Sequence, residues 1–219
     1  MTRYVEDAPA AVLAAAKTLL RKGLVEGTSG NISARQEDGT VVITPSSLDY
    51  EVMEIEDLVV IDLDGEVVSS PRDRYPSSEK PLHLACYQAF DDVGSVIHSH
   101  AIFATMFAVA RQPIPACIDE FSIYVGGEVR CADYAASGEA ELGKAIVAAL
   151  EGRGAALMAN HGLVAVAPNP AKALHITALV ERSAQIVHGA KQLGQAFDLP
   201  EEVNAKFGTI YGYLRKNPM

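Results

Sequence analysis

Asn31-Ile32-Ser33-Ala34-Arg35, Asp38-Gly39 and Val41-Val42-Ile43-Thr44 form the stretch that decides the fold: two short β-forming runs on either side of a glycine turn, which read as a hairpin. The arrangement returns at Leu58-Val59-Val60-Ile61-Asp62, Asp64-Gly65 and Glu66-Val67-Val68. Connections this short join antiparallel neighbours, so antiparallel pairing dominates the first third of the chain.

Upstream of the hairpins, the Ala- and Leu-rich stretch from about Pro9 to Lys22 stops at Gly23 and reads as an amphipathic helix. Downstream, Ser78-Glu79-Lys80-Pro81 opens a second helix to about Phe90, with Ser78 as N-cap and Pro81 tolerated in the first turn. The apolar run Gly94-Ser95-Val96-Ile97 then reads as a strand closed by His98-Ser99-His100. Ala101 to about Ala110 is helical in composition, Gln112-Pro113-Ile114-Pro115 starts an irregular stretch to Gly126-Gly127, and Gly138 to Leu150 is helical again. Gly154 to Ala167 reads as a buried hairpin turned at Asn160-His161-Gly162, Pro170 starts a long helix to about Leu193, and a last helix from about Pro200 ends in a tyrosine-bearing tail. There is no repeat, no linker and no Gly-x-Gly-x-x-Gly. The expected architecture is one domain over residues 1–219, a three-layer α/β/α sandwich with a mainly antiparallel central sheet rather than a doubly wound one.

The 219 residues are 49% hydrophobic, enough for one sizeable core. A net charge of -10 argues against nucleic acid or an anionic membrane as partner and leaves room for an anionic small substrate in a local pocket. Cys86, Cys117 and Cys131 are odd in number and lack paired spacing, so they support neither a disulfide framework nor a thiolate metal site. No apolar run approaches the length a membrane helix needs, and the N-terminus lacks a signal core, so the expected location is the cytoplasm.

His98 and His100, two residues apart at a strand end, share one face, and His161 sits in the tip of a separate hairpin. Each alone reads as well as a buried histidine satisfied by backbone carbonyls; together they read as metal ligands. Three neutral imidazoles and an open fourth position describe a catalytic zinc, although imidazole serves copper, iron and nickel too. His83, His175 and His188 have no partner at ligand spacing and read as core or surface residues. Gly27-Thr28-Ser29-Gly30-Asn31, Thr44-Pro45-Ser46-Ser47 and Pro76-Ser77-Ser78-Glu79 are small polar loops whose convergence would cradle a phosphate without arginine.

These motifs, in order and spacing along nearly the whole chain, resemble the class II aldolase/adducin family. The resemblance implies one zinc per subunit held by His98, His100 and His161, with Glu79 as an acid/base whose pKa is raised by partial burial. It places Gly30, Asn31, Ser46, Ser47, Ser77 and Ser78 at the substrate phosphate, and it implies a homotetramer with active sites between subunits. In the family's aldolases a C-terminal tyrosine serves the adjacent site, and within Lys206-Phe207-Gly208-Thr209-Ile210-Tyr211-Gly212 the match is Tyr211, preferred over Tyr213. The implied reaction is reversible aldol cleavage of a phosphorylated ketose such as L-fuculose 1-phosphate to dihydroxyacetone phosphate and an aldehyde.

Two departures from the family's aldolases matter. A Thr-Gly pair of the phosphate loop is here Ser46-Ser47, so Ser47 must adopt a conformation that glycine allows. Where they carry a proton-donating tyrosine, this chain reads Cys117-Ile118-Asp119-Glu120-Phe121, with Tyr124 nearest. An acid there resembles the family's L-ribulose-5-phosphate 4-epimerases. Epimerisation and sugar-acid decarboxylation are therefore alternatives on the same chemistry, and a non-catalytic adducin-like interaction module is the alternative of another class.

Overall fold

The computed structural model describes residues 3–217. Helix α1 (Ala8–Arg21) starts where the Asp7 carboxylate accepts from the Ala10 N–H and ends two residues before Gly23, whose φ is +65°. The two hairpins form as expected: β1 (Asn31–Arg35) with β2 (Val41–Ile43), and β3 (Val59–Ile61) with β4 (Val67–Ser69). Then follow α2 (Lys80–Ala89), β5 (Ser95–Ser99), α3 (Ile102–Ala110), α4 (Asp119–Val125), β6 (Cys131–Ala132), α5 (Ala140–Leu150), β7 (Ala155–Met158), β8 (Gly162–Ala167), α6 (Pro170–Leu193) and α7 (Glu201–Lys216).

Among the described residues the eight strands form one sheet in the order β4-β3-β2-β1-β5-β8-β7-β6, and every pairing is antiparallel except β6 with β7. The period of two sorts the strand residues into two cores. Ile32, Ala34, Ile97, Leu157, Leu163 and Ala165 pack with α1, α3, α4 and α6 on one face. Val41, Ile43, Val96, Ala156, Val164 and Val166 pack with α2 and α5 on the other. His98 falls in the alternation with Val96, so its ring lies on the α2 side, at the centre of the sheet, where β5 is flanked by β1 and β8.

Three expectations are corrected. Ser78 is not the N-cap of α2: Glu79 is, and it makes no side-chain capping bond, while Ser78 is exposed. The stretch after Pro115 is not irregular throughout, because Asp119–Val125 forms a short helix that buries Phe121, Ser122 and Val125 and stops at Gly126 with φ +93°. Its acidic first turn and glycine stop were present in the sequence, overshadowed by the prolines before it. The C-terminal segment is not a helix followed by a tail; α7 continues past Tyr211 and packs on α4.

Candidate metal centre

β5 delivers His98, fully buried, and ends at Ser99, so His100 lies in the joint between the strand and α3 rather than on the strand itself. His161 occupies the β7–β8 turn beside Asn160, whose φ is +56°. The turn depends on Gly162: a Cβ there would lie 2.5 Å from the Ser99 carbonyl oxygen and 3.2 Å from carbons of both the His98 and His100 rings. The three histidines converge, with ligating nitrogens within 4.8 Å of one another and Nε2 of His98 3.0 Å from Nε2 of His100.

The donor set fits a metal ion. The Leu163 carbonyl oxygen, 3.1 Å from Nδ1 of His98, can only accept, so Nδ1 carries the proton and the Nε2 lone pair points into the cluster. Burial pushes His98 down to about 4 and is the chief cause that lowers His100, so both rings are neutral at pH 7. The His98–His100 separation is close to the roughly 3.3 Å between nitrogens on a tetrahedral zinc with bonds of about 2.05 Å.

Glu79 completes the cluster, with Oε2 3.3 Å from Nε2 of His98 and Oε1 3.7 Å from Nε2 of His161. Opposed lone pairs at these distances are relieved by a cation. Because Glu79 leaves the helix uncapped, its carboxylate is free to turn here, where Asn31 Nδ2 donates to Oε2 at 2.8 Å and Ser137 Oγ to Oε1 at 2.6 Å. Burial alone would raise this carboxyl, as the sequence led us to expect. His98, the Ser137 and Asn31 hydrogen bonds and His161 outweigh burial and hold it down at about 2. Glu79 is therefore an anion at pH 7 rather than a poised acid.

Sequence reasoning missed Ser137 and the role of His83. Glu79, His83 and Tyr87, four apart on α2, face Asn31, Ser33 and Arg35, two apart on β1. His83 lies 2.5 Å from Asn31 Oδ1 and 2.7 Å from Ser33 Oγ, Ser33 bonds the Tyr87 hydroxyl, and Arg35 donates to the Tyr87 carbonyl. All six are buried, so the chain of hydrogen bonds fixes α2 along β1 and sets the Asn31 amide with its NH2 toward Glu79. Matching helical and strand periods was the signal that could have revealed it.

The three polar loops also meet. Thr44 Oγ1 accepts from Ile32 N, Ser77 N donates to Thr44 O, Ser46 N donates to Tyr75 O, and Ser77 Oγ accepts from Glu79 N. Gly30 has φ +77° and abuts the His98 carbonyl, and the Tyr50 hydroxyl bonds its carbonyl. Ser47 does take the glycine-like conformation, at φ +58°. Gly30 adjoins Asn31, Ser77 Oγ holds the Glu79 N–H, and Thr44, two residues before Ser46, bridges the loops on either side along this edge.

Tyr211 is not brought to the cluster within this chain. Its ring packs on Gly126, its hydroxyl accepts from Arg215, and it lies beside Val166 and Ala167, at the end of β8 opposite to Leu163 and the histidines. Tyr213 is the more exposed tail tyrosine, at 66%. Asp119 and Glu120 are exposed at the start of α4, with Glu120 3.6 Å from Arg182, and the Tyr124 ring meets His175. Cys86, Cys117 and Cys131 are free thiols, and among the described residues no helix is long and apolar enough to cross a membrane.

Residues 10–188 match the family described as Class II Aldolase and Adducin N-terminal domain. The chain is 37% identical over 192 residues to the 5-deoxy-D-ribulose 1-phosphate aldolase of Bacillus thuringiensis serovar kurstaki, covering 87% of this chain and 89% of that protein. It is 43% identical over 140 residues to an L-ribulose-5-phosphate 4-epimerase of Salmonella paratyphi B, covering 60% of each. Its fold superposes on a solved L-fuculose 1-phosphate aldolase with a TM-score of 0.89 at 36% identity, covering 96% of this chain and 98% of the other. By sequence pattern, topology and the three-histidine cluster of a metal-dependent enzyme, the chain belongs to the class II aldolase and adducin family, as a carbon–carbon lyase.

Proposed function

We propose that this protein, as a single domain over residues 1–219, catalyses reversible aldol cleavage of a ketose 1-phosphate to dihydroxyacetone phosphate and an aldehyde. In this reading it works in the cytoplasm as a homotetramer with active sites between subunits. His98, His100 and His161 would hold one zinc ion per subunit, which supplies a Lewis acid for the ketose carbonyl and for the negative charge left as the carbon–carbon bond breaks. The observation that carries the reading is a buried Glu79 carboxylate turned toward three converging imidazoles. Held as an anion by Asn31 and Ser137, Glu79 acts as the base. In condensation it takes a proton from the hydroxyl-bearing carbon of dihydroxyacetone phosphate while the new alkoxide oxygen takes one up; in cleavage the proton leaves the hydroxyl that becomes the aldehyde oxygen and passes by way of Glu79 to that same carbon, so no net proton is gained or lost. Asn31 Nδ2 spends one hydrogen on Glu79 and keeps the other for a phosphate oxygen. Gly30, Ser46, Ser47, Ser77 and Ser78 supply further neutral donors at that edge. Tyr211 is packed on Gly126 away from this chain's own histidines, so any step it takes is at a neighbouring subunit's site.

The longer match to the 5-deoxyribulose 1-phosphate aldolase, over 87% of the chain against 60% for the epimerase, supports cleavage over epimerisation. A scaffold would need neither the histidine cluster nor an ionised buried carboxylate beside it. The test supplies the zinc-loaded protein with L-fuculose 1-phosphate, 5-deoxy-D-ribulose 1-phosphate and L-ribulose 5-phosphate. Dihydroxyacetone phosphate should appear from a ketose 1-phosphate, and Glu79→Gln should slow its release on the order of 10²-fold while keeping the metal. Interconversion of pentulose 5-phosphates without that product would assign the epimerase reaction instead, decarboxylation of a sugar acid the third reaction, and a metal-free, inert protein the scaffold.

A further inference from the structure

His100 lies outside both β5 and α3, in the joint between them, as His161 lies in the β7–β8 turn. β5 ends at Ser99, α3 begins at Ile102, and only Ala101 separates His100 from the helix. The start of α3 has no capping side chain of its own, because its N-cap is Ala101. The open N–H groups that every helix start presents are taken here by a residue far along the chain: Glu181, in the middle of α6, accepts from Phe103 N at 3.0 Å and from Ala104 N at 2.9 Å, one bond to each carboxylate oxygen. A carboxylate is well matched to that site, since it meets both free donors and the positive end of the helix dipole.

The other end of α3 is tied to the other ligand loop. Ala108 O accepts from Asn160 N at 3.1 Å, and Arg111, the C-cap residue, donates to Asn160 Oδ1 through Nε at 3.1 Å and Nη2 at 2.9 Å. Asn160 directly precedes His161. One nine-residue helix therefore runs from the His100 joint to the His161 turn, clamped at its start from α6 and at its end to the turn.

We infer that α3 is the spacer that sets His100 against His161, and that Glu181 and, less strongly, Arg111 are positioning residues for the metal centre. The inference rests on the proposal that His98, His100 and His161 hold a divalent metal. Without Glu181 the first turn of α3 loses both bonds and His100 gains freedom. His98 keeps its place through the β5 pairing and His161 through the β7–β8 turn. The site then holds two fixed ligands and one loose one, which weakens metal binding without abolishing it.

The test is zinc affinity of the full-length protein, measured by competition with a chelating indicator at 25 °C, where each variant is shown to be folded by circular dichroism. Glu181→Ala should bind zinc at least tenfold more weakly than wild type, the lower bound for losing a group that orients a ligand. Glu181→Gln, which keeps an acceptor for one N–H, should recover most of that loss, and Arg111→Ala should weaken binding a few-fold. Asn169→Ala removes the N-cap of α6, whose side chain accepts from Lys172 N, without touching α3. It should lower the melting temperature and leave zinc affinity unchanged. Cobalt(II) substitution gives a second readout, because a loosened imidazole should weaken the visible bands of the four-coordinate ion in Glu181→Ala and not in Asn169→Ala. Wild-type affinity in both Glu181→Ala and Arg111→Ala would overturn the inference, as would an equal loss in Asn169→Ala. Should Glu181→Ala fail to fold, Glu181→Gln and Arg111→Ala decide between the same outcomes. Absence of zinc binding by wild type would sink the metal reading itself, a result distinct from wild-type affinity in the variants.

Discussion

Gly162→Ala isolates the geometry of the metal centre from its chemistry, because it alters no ligand. Gly162 opens β8 immediately after His161, outside the positive-φ region, so alanine meets no backbone strain there. The difficulty is space: the new Cβ would sit 2.5 Å from the Ser99 carbonyl oxygen and 3.2 Å from His98 Cε1 and His100 Cδ2. A carbon next to a carbonyl oxygen settles at about 3.3 to 3.6 Å, so the start of β8 and the end of β5 must separate by about 0.8 to 1.1 Å. Neither is an edge strand, since β5 lies between β1 and β8, and β8 between β5 and β7. The strain is therefore shared with the ligands, where metal bonds tolerate about 0.2 Å. Overpacking of this kind costs about 1 to 3 kcal/mol, offset in part by the roughly 0.5 to 1 kcal/mol that alanine gains over glycine inside a strand. We expect a measurably lower melting temperature for the metal-free protein and a zinc affinity reduced on the order of 10- to 100-fold. The assays are thermal denaturation and zinc competition, with Gly189→Ala as control, since a Cβ at that position in α6 meets nothing within 4 Å. A Gly162→Ala protein with wild-type zinc affinity would show that the turn has slack and that the close approach is not what sets the ligands.

His98→Ala and His161→Ala should each lose bound metal and turnover together, read by elemental analysis, because a site with three protein ligands has none to spare; full occupancy in either variant removes that residue from the ligand set. Ser47→Val should cost about 1 to 2 kcal/mol and raise KM for a phosphorylated substrate, since Ser47 sits at φ +58° and a β-branched side chain fits that region poorly; an unchanged denaturation midpoint would refute the strain. Burial pushes His83 down to about 3, whereas the unfolded chain takes up that proton near pH 6.5. The unfolded state thus binds more protons in between, and stability falls as pH drops from about 6.5 toward 3. In urea titrations across that window His83→Gln should show a shallower fall than wild type, and an equal slope would mean that His83 is not the neutral link between Asn31 and Ser33.

The amino-acid sequence by itself determined the two hairpins, the buried β7–β8 hairpin, the main helices and the antiparallel character of the sheet. Each follows from local signals: glycine turns set pairing between neighbours, and proline and glycine mark helix ends. It also pointed to His98, His100 and His161, because histidines that close apolar strand runs are a local pattern. Tertiary structure alone decided the rest. Asp119–Val125 is held as a helix by burial of Phe121 and Val125, which a two-turn periodicity is too short to announce. Tyr211 is packed on Gly126 by the docking of α7 on α4, a contact between segments 85 residues apart by number (211 minus 126). The ionised state of Glu79 could not be read from its place at a helix start, since burial and hydrogen bonds push a carboxyl in opposite directions. Only the folded chain shows that His98 and the hydrogen bonds from Ser137 and Asn31, 58 and 48 positions away, together outweigh burial. Local backbone preference is written along the chain, whereas the balance of charge and solvation at a buried group depends on what folding sets beside it.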